Sequence, residues 1–267
     1  MRQQLELPAE WDGDLWHYSQ QGRANAMHHH AELEFNLVTQ GVGLYLLANR
    51  KYEIRRGDLL WLFPAQEHVL IEQSSDFEMW IGVFKPRTVR RVATDANARV
   101  LRQANASGDY CRRLAQRDFA RLETLFAEIA ATHGKRALFN AGLSYALLGA
   151  WQHFEHAADV PVHDIHPAVE KAARLIRDET TLSLDELARR SGLSAHRLSR
   201  LFKLQTGVAL VDFRNRQRVE KFLQIYGTGQ RLKMLDAALE AGFGSYPQFH
   251  RVFKRVIGCS PGEYRRK

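Results

Sequence analysis

The chain has 267 residues, a formal net charge of +8 and two cysteines. Its apolar runs are shorter than the ~18 residues that a membrane helix needs, and its N-terminus lacks the apolar stretch of a signal peptide. We therefore expect a cytoplasmic protein with reduced cysteines and, at roughly 100–200 residues per domain, two domains.

Residues 28–85 carry the pattern of short β-strands. Apolar runs at 34–39 and 59–64 are bounded by turn residues, and Phe77, Met79 and Ile81 recur with period two. Short strands with turn signals every ~8–12 residues are typical of a small barrel or sandwich.

Two helical segments follow between residues 117 and 156. Apolar residues recur there at helical spacing, in one stripe before Gly134 and another after it. Such a pair can be plain core, which is the more common outcome, or the surface of a homodimer, and both interpretations stay open. The stripes are Leu122, Leu125, Phe126 and Ile129, then Leu143, Leu147, Trp151 and Phe154.

The segment after the helices has two prolines and no apolar period, so a domain boundary is predicted there. We expect a sensor barrel at 1–110, a helical pair at 111–158, a linker at 159–166 and a DNA-binding domain at 167–267.

A short segment occurs twice in the C-terminal part of the chain. Gly192 and Gly242 are 50 residues apart, whereas Phe202 and Phe253 are 51 apart, so the second copy has one extra turn residue. Each copy has a helix, a glycine for a tight turn and a second helix, and Ser194 can cap that second helix. The repeat therefore predicts two helix-turn-helix units.

The positive charge is confined to the region of the repeat. Residues 163–267 hold 20 basic and 11 acidic side chains, whereas residues 1–162 hold 18 and 19. Basic charge on one helical domain indicates a nucleic-acid partner, although a solvated basic face gives the same composition.

The repeat resembles the DNA-binding domain of the AraC/XylS family of bacterial transcription regulators. The residues that carry the resemblance are Leu187, Ala188, Gly192–Ser194, Leu198–Lys203, Gly207, Arg218, Gly242, Phe243, Phe249–Lys254, Gly258 and Pro261–Arg265. The resemblance implies seven helices, a connector at about 209–226, and two recognition helices in successive major grooves of double-stranded DNA. Ala237 departs from it, because the family usually has a larger aliphatic residue there.

By position, the resemblance assigns base reading to six side chains. Arginine suits this role because its guanidinium bonds guanine O6 and N7 together. Each arginine could instead contact phosphate, and Gln248 could cap its own helix. The six are His196, Ser199, Arg200, Tyr246, Gln248 and Arg251.

The strand region resembles the cupin superfamily. The spacing His28-x-His30-x3-Glu34-x6-Gly41 matches its first motif, and residues 57–64 with His68 resemble the second. Three imidazoles and a carboxylate suit zinc, iron, manganese or nickel. Alternatively the histidines form a surface run, or they line an empty or sugar-binding pocket.

Five aromatic residues of this region are candidates for an organic effector pocket, although plain core is the more common outcome for most such residues. They are Phe35, Tyr45, Trp61, Phe63 and Trp80.

These features together predict an α+β protein with two domains, a cupin-like barrel with a helical pair and an all-α domain with two helix-turn-helix motifs. The predicted function is transcription regulation without catalysis, in response to a small molecule or a metal, with RNA polymerase and a second copy as further partners. The alternative is a metal-dependent cupin enzyme, of dioxygenase or isomerase type, that carries a DNA-binding domain.

Overall fold

The structure is a computed structural model that describes residues 7–19, 32–47, 50–66, 68–227 and 233–264. The described residues form two compact units divided after Asp164, here called the first unit and the helical unit. The first unit combines β-sheets with α-helices, so the expected two-domain α+β class is confirmed. No helix in the described part of the chain is long and apolar enough to cross a membrane.

Ten strands of the described first unit form two antiparallel sheets. The orders are β1-β7-β2-β5-β8-β9 in one sheet and β10-β4-β3-β6 in the other. The strands are β1 (Gly13–Ser19), β2 (Leu33–Gln40), β3 (Val42–Leu47), β4 (Arg50–Arg55), β5 (Asp58–Leu62), β6 (His68–Gln73), β7 (Glu78–Phe84), β8 (Cys111–Arg113), β9 (Ala158–Asp159) and β10 (Val162–Asp164).

The sheets do not close into the single barrel that the sequence predicts. Among the described strands, one sheet ends at β1 and β9 and the other ends at β10 and β6. Closure requires hydrogen bonding between the end strands, and no ladder joins these two sheets. The prediction is therefore corrected to two antiparallel sheets.

The helical pair covers one face of the six-stranded sheet. After the short α1 (Pro86–Val92), it consists of α2 (Gln116–Ala130) and α3 (Arg136–Glu155). Phe35 stacks on Phe126 with ring centroids 4.9 Å apart, and Trp61 meets Trp151 at 5.6 Å. Apart from Leu125, every residue of the two predicted apolar stripes is buried, so the stripes form core.

The predicted linker contains regular structure. β9 pairs with β8 at the edge of the six-stranded sheet, and β10 pairs with β4 at the edge of the other sheet. The chain therefore crosses from one sheet to the other at Val160 and Pro161 before it reaches the helical unit.

The helical unit has seven described helices, which agrees with the number that the family resemblance implies. They are α4 (Pro167–Asp178), α5 (Leu184–Ser191), α6 (Ala195–Thr206), α7 (Leu210–Gly227), α8 (Met234–Glu240), α9 (Tyr246–Ile257) and α10 (Pro261–Tyr264). The connector α7 has 18 residues, a length of about 27 Å at 1.5 Å per residue.

The connector shares core with both helix pairs. The ring of Phe213 lies 5.5 Å from that of Phe202 in α6, and the ring of Phe222 lies 4.4 Å from that of Phe249 in α9. We call α5 with α6 the first head and α8 with α9 the second head. Both heads are therefore anchored on one helix.

A buried ion pair joins β5 to β8 in the first unit. Asp58 is 0% exposed, and its carboxylate accepts hydrogen bonds from Arg113 Nε at 2.7 Å and from the Arg55 backbone N–H at 2.9 Å. The hydrogen bond to Asp58 raises the pKa of Arg113. Because removing one partner leaves a charge buried without compensation, the pair should be needed for stability.

We predict that Arg113→Ala lowers the free energy of unfolding of the first unit by about 3 kcal/mol. All five tryptophans (Trp11, Trp16, Trp61, Trp80 and Trp151) belong to this unit, so tryptophan fluorescence during urea unfolding reports on it alone. The control is Arg99→Ala, which removes an exposed arginine and should change little. Equal, small losses for both variants would contradict the prediction.

Candidate functional site

The first head is built from local signals. Ser183 caps α5 by accepting a hydrogen bond from Glu186 N at 3.1 Å. The helix ends at Gly192, whose φ of +76° favours glycine, and Leu193 N donates to Ala188 O at 3.1 Å. Ser194 then caps α6 through Arg197 N. The predicted helix-turn-helix is present with its predicted cap at Ser194.

The second head repeats the same turn with one extra residue. Gly242 has φ +98°, and Phe243 N donates to Ala238 O at 3.1 Å, as in the first head. The cap of α9 is Ser245, three residues after its turn glycine, whereas Ser194 comes two residues after Gly192. Gly244 is therefore the additional turn residue.

The two recognition helices, α6 and α9, bury equivalent apolar positions. Leu198 and Phe202 of α6 correspond to Phe249 and Phe253 of α9, and all four are buried. Neither helix contains an acidic residue, and each contains three lysines or arginines. Each helix therefore has a basic outer face that is suited to a polyanion.

Arg200 and Arg251 occupy the same place in the two heads. Each is the sixth residue of its recognition helix and each is exposed. In the described part of the chain neither takes part in an ion pair. By contrast, Arg190 in α5 pairs with Glu179 at 2.8 Å and thereby lowers the pKa of that carboxyl.

The other predicted readers differ in availability. His196 and Tyr246 are exposed, and Ser199 is half-buried. Tyr246 OH contacts Met234 Sδ at 3.5 Å. Gln248 Oε1 accepts a hydrogen bond from Gly244 N at 3.0 Å, one residue before the capping Ser245, so this side chain ties the turn to the start of its helix, close to the capping role that the sequence offered as an alternative.

The register between the heads reveals two further exposed side chains. Arg197 is equivalent to Gln248, and His250 is equivalent to Ser199, because Leu198 and Phe249 are equivalent core positions. The extra residue Gly244 hides this correspondence when the repeats are aligned on their glycines. Alignment on the buried residues would have found it.

The predicted metal ligands are described in part. Glu34 and His68 are both buried, while His28 and His30 lie outside the described residues. His68 Nδ1 lies 3.2 Å from Gln66 O. Among the residues that are described, no three His, Cys, Asp or Glu side chains are grouped to hold a metal ion. These two residues alone do not make a metal site.

The five aromatic residues predicted to line an effector pocket are buried in the first unit. Phe35, Trp61, Phe63 and Trp80 belong to the core that includes α2 and α3. Tyr45 is separate from that core, and its hydroxyl accepts a hydrogen bond from Asn36 Nδ2 at 3.1 Å. The rings of Phe35 and Trp61 pack against Phe126 of α2 and Trp151 of α3. These ring faces are therefore not available to a ligand.

A pocket of about 750 Å³ lies elsewhere in the first unit. It is formed by the ends of β3, β4 and β6, by Arg113 and by the crossing segment before the helical unit. None of the five aromatic residues lines it. The lining side chains include Val42, Leu44, Ile54, Val160 and Pro161, together with Glu53, Arg55, Glu72, Gln73, Ser74 and His163.

In comparisons with known proteins, different family models match the first unit and the helical unit. A family model described as "AraC-like ligand binding domain" matches residues 11–148, and one described as "Helix-turn-helix domain" matches residues 187–267. The chain is 24% identical to the arabinose operon regulatory protein of Escherichia coli K12 over 86% of this chain and 79% of that protein. It is 25% identical to the transcriptional activator RhaR of Klebsiella pneumoniae over 91% and 88%.

A solved structure is also similar. Wild-type ToxT of Vibrio cholerae with a bound unsaturated fatty acid is 15% identical, covers 95% of this chain and 91% of its own, and has a TM-score of 0.42.

We predict that Gln248→Ala lowers the stability of the helical unit by about 0.5–1 kcal/mol, since it removes a capping acceptor. Gln248→Glu keeps that acceptor and should keep the stability. Circular dichroism at 222 nm measures the unfolding of both units, whereas tryptophan fluorescence measures that of the first unit alone. The transition of the helical unit is therefore the one that only circular dichroism reports. Arg197→Ala, at the equivalent position of α6, is the control, and equal losses for both Gln248 variants would refute the capping role.

Proposed function

The chain belongs to the AraC family of ligand-sensing, DNA-binding transcription regulators, and we propose that its two heads read different base sequences in successive major grooves. The observation that carries this proposal is the equivalence of Arg200 and Arg251 on two acid-free helices. Their neighbours differ, with His196 and Ser199 in one head and Tyr246 and His250 in the other. One chain would then recognise an asymmetric site.

The assignment of single residues follows from their chemistry. Arg200 and Arg251 are the proposed guanine readers, because a guanidinium can donate to O6 and N7 of one base. His196, Ser199, Tyr246 and His250 supply further contacts at or beside base edges. Gln248 keeps a free amide N–H₂ group while its oxygen caps the helix, so we propose a supporting contact for it.

We predict that Arg200→Ala and Arg251→Ala each weaken binding to the preferred DNA site by about tenfold or more. Each variant should lose its preference at one base pair, and the two base pairs should lie in opposite halves of the site. Titration of the full chain with systematically substituted DNA duplexes measures this.

Lys171→Ala is the control, because Lys171 is exposed on α4 and outside both recognition helices. It removes the same charge and should leave base preference unchanged. A uniform loss across all duplexes for Arg200→Ala would instead identify a phosphate contact.

We propose that the effector binds in the 750 Å³ pocket rather than among the buried aromatic residues. The pocket combines aliphatic walls with charged and amide groups, the mixture that orients a small organic molecule. Val160, Pro161 and His163 form part of its wall and directly precede the helical unit in sequence. An occupant would thus contact the segment that leads to the DNA-binding helices.

We predict that Val42→Trp abolishes the response to the effector. Val42 is 56% exposed at the pocket, so a larger side chain can be accommodated there and would fill the space. Candidate compounds are first screened for binding to the unaltered protein. An effector is a compound that raises the thermal unfolding temperature of the first unit, measured by tryptophan fluorescence. Val42→Thr, of nearly equal size, should retain the response, and DNA binding without effector should be the same in all three proteins. An unchanged response in Val42→Trp would place the effector elsewhere.

We further propose that the first unit senses and does not catalyse, as the similarity to transcription regulators supports. Elemental analysis of protein prepared without a histidine tag separates this from the enzyme alternative. A stoichiometric transition metal that is lost in His30→Ala and His68→Ala would favour the metal-dependent function.

The proposed partners and place of action follow from promoter binding. RNA polymerase is the proposed macromolecular partner, and the cytoplasm is the place where both act on DNA. A homodimer is proposed through the outer face of α3, where Leu138 and Tyr145, seven residues apart, are 54% and 57% exposed. Sedimentation of Leu138→Glu with Tyr145→Glu against the unaltered protein tests the dimer.

A further inference from the structure

The loop between α4 and α5 belongs to the first head. Ser183 in this loop caps α5, and Glu179 pairs with Arg190 of α5 at 2.8 Å. Both contacts hold residues 179–183 to α5 of the first head. Any contact on this loop from the second head therefore links the two heads.

The connector α7 reaches this loop with two arginines. Arg218 Nε donates to Thr180 O at 3.0 Å, and Arg214, one turn earlier, donates to Leu182 O. Residues four apart lie on one face of a helix, so both guanidinium groups point at the same loop. Both arginines bind main-chain carbonyl oxygens. Replacing the side chains of the loop would therefore not remove these hydrogen bonds.

The second head contacts the same carbonyl. A Cβ atom on Gly242 would lie 2.6 Å from Thr180 O and 3.2 Å from Arg218 Nε. The turn of the second head is therefore packed directly against the loop of the first head, and only glycine allows this distance together with φ +98°. Thr180 O, Arg218 and Gly242 form one contact, which we call the clasp.

Core packing alone is a poor explanation for an arginine at this position. Arg218 is only 9% exposed. Desolvation, with repulsion from Arg214, lowers the pKa of Arg218 to about 10. An apolar side chain of similar length would fill the space without the cost of burying a charge. What the arginine adds is a directed hydrogen bond to a specific carbonyl.

We propose that Arg218 is a positioning residue that fixes the spacing of the two heads on DNA. The inference rests on the proposed reading of DNA by both heads. Arg218 touches no base in this account; it acts by holding the loop of the first head against the turn of the second. Rigid positioning makes binding of the second head effectively intramolecular, so it strengthens binding to the complete site.

The test compares Arg218→Met with Lys221→Met in the full chain. Both variants remove one positive charge from α7, but Lys221 is exposed. The probes are a duplex selected by the unaltered protein, the same duplex with either half replaced by unrelated sequence, and the same duplex with one base pair inserted between the halves. Circular dichroism confirms folding.

The unaltered protein and Lys221→Met should bind the complete site at least about tenfold more tightly than either half, and the insertion should remove most of that gain. Arg218→Met should bind each half normally but lose about tenfold on the complete site and become insensitive to the insertion. If Arg218→Met keeps its sensitivity to the insertion, or if its affinity falls equally on every probe, the proposal is wrong.

Two further outcomes are decisive. If the unaltered protein binds one half as tightly as the complete site, the two-headed function itself fails, independently of Arg218. If Arg218→Met does not fold, Arg218→Lys and Arg214→Met are measured on the same probes. If the inserted base pair weakens binding of both variants as much as it weakens binding of the unaltered protein, the proposed positioning role is wrong.

Discussion

Both helix-turn-helix heads pack on one helix, and this constraint limits how the helical unit can present them to a partner. Phe213 anchors α7 to the first head and Phe222 anchors it to the second. A pair of short helices is too small to bury a sufficient core alone, so each head depends on the connector. The length of α7, about 27 Å, then limits how far apart the heads can lie, which suits neighbouring major grooves spaced by ~34 Å.

The heads share a backbone design but differ on the surface that would meet DNA. The turn glycines form the same pair of hydrogen bonds, and a serine caps each recognition helix. The additional Gly244 shifts the start of α9, and Gln248 is occupied with capping where Arg197 is exposed. The exposed side chains that the two helices share are the arginine at the sixth position and the lysine at the ninth, Lys203 and Lys254. The two heads thus share a fold while most exposed side chains of their recognition helices differ.

The helical unit could be predicted well because its signals are local. Capping serines, a glycine with positive φ and apolar residues at helical spacing act within a few residues of one another, so the turn at Gly192 and the cap at Ser194 lie where the sequence predicts. The position of Gln248 shows the limit, since the same residue satisfies both a reading and a capping pattern. Its role depends on a side-chain conformation that spacing does not determine.

The first unit was harder to predict because its strands are buried on both faces. In β2 seven consecutive residues are buried, so alternation no longer distinguishes the face toward the helices from the face toward the other sheet. The sequence therefore leaves pocket and core open for Phe35 and Trp61, which pack on α2 and α3 in the structure. Sheet closure and the pocket beside residues 160–163 depend on contacts between distant segments. The same holds for the pairing of β9 with β8 and of β10 with β4 at the predicted linker.

The central claim is that one chain reads two different sequences, and selection of binding sites from random DNA by the unaltered protein tests it most directly. We predict an asymmetric consensus with two dissimilar blocks whose centres are about 10 base pairs apart. A consensus made of a single block, or of two identical blocks related by a two-fold axis with no asymmetric unit, would contradict the account.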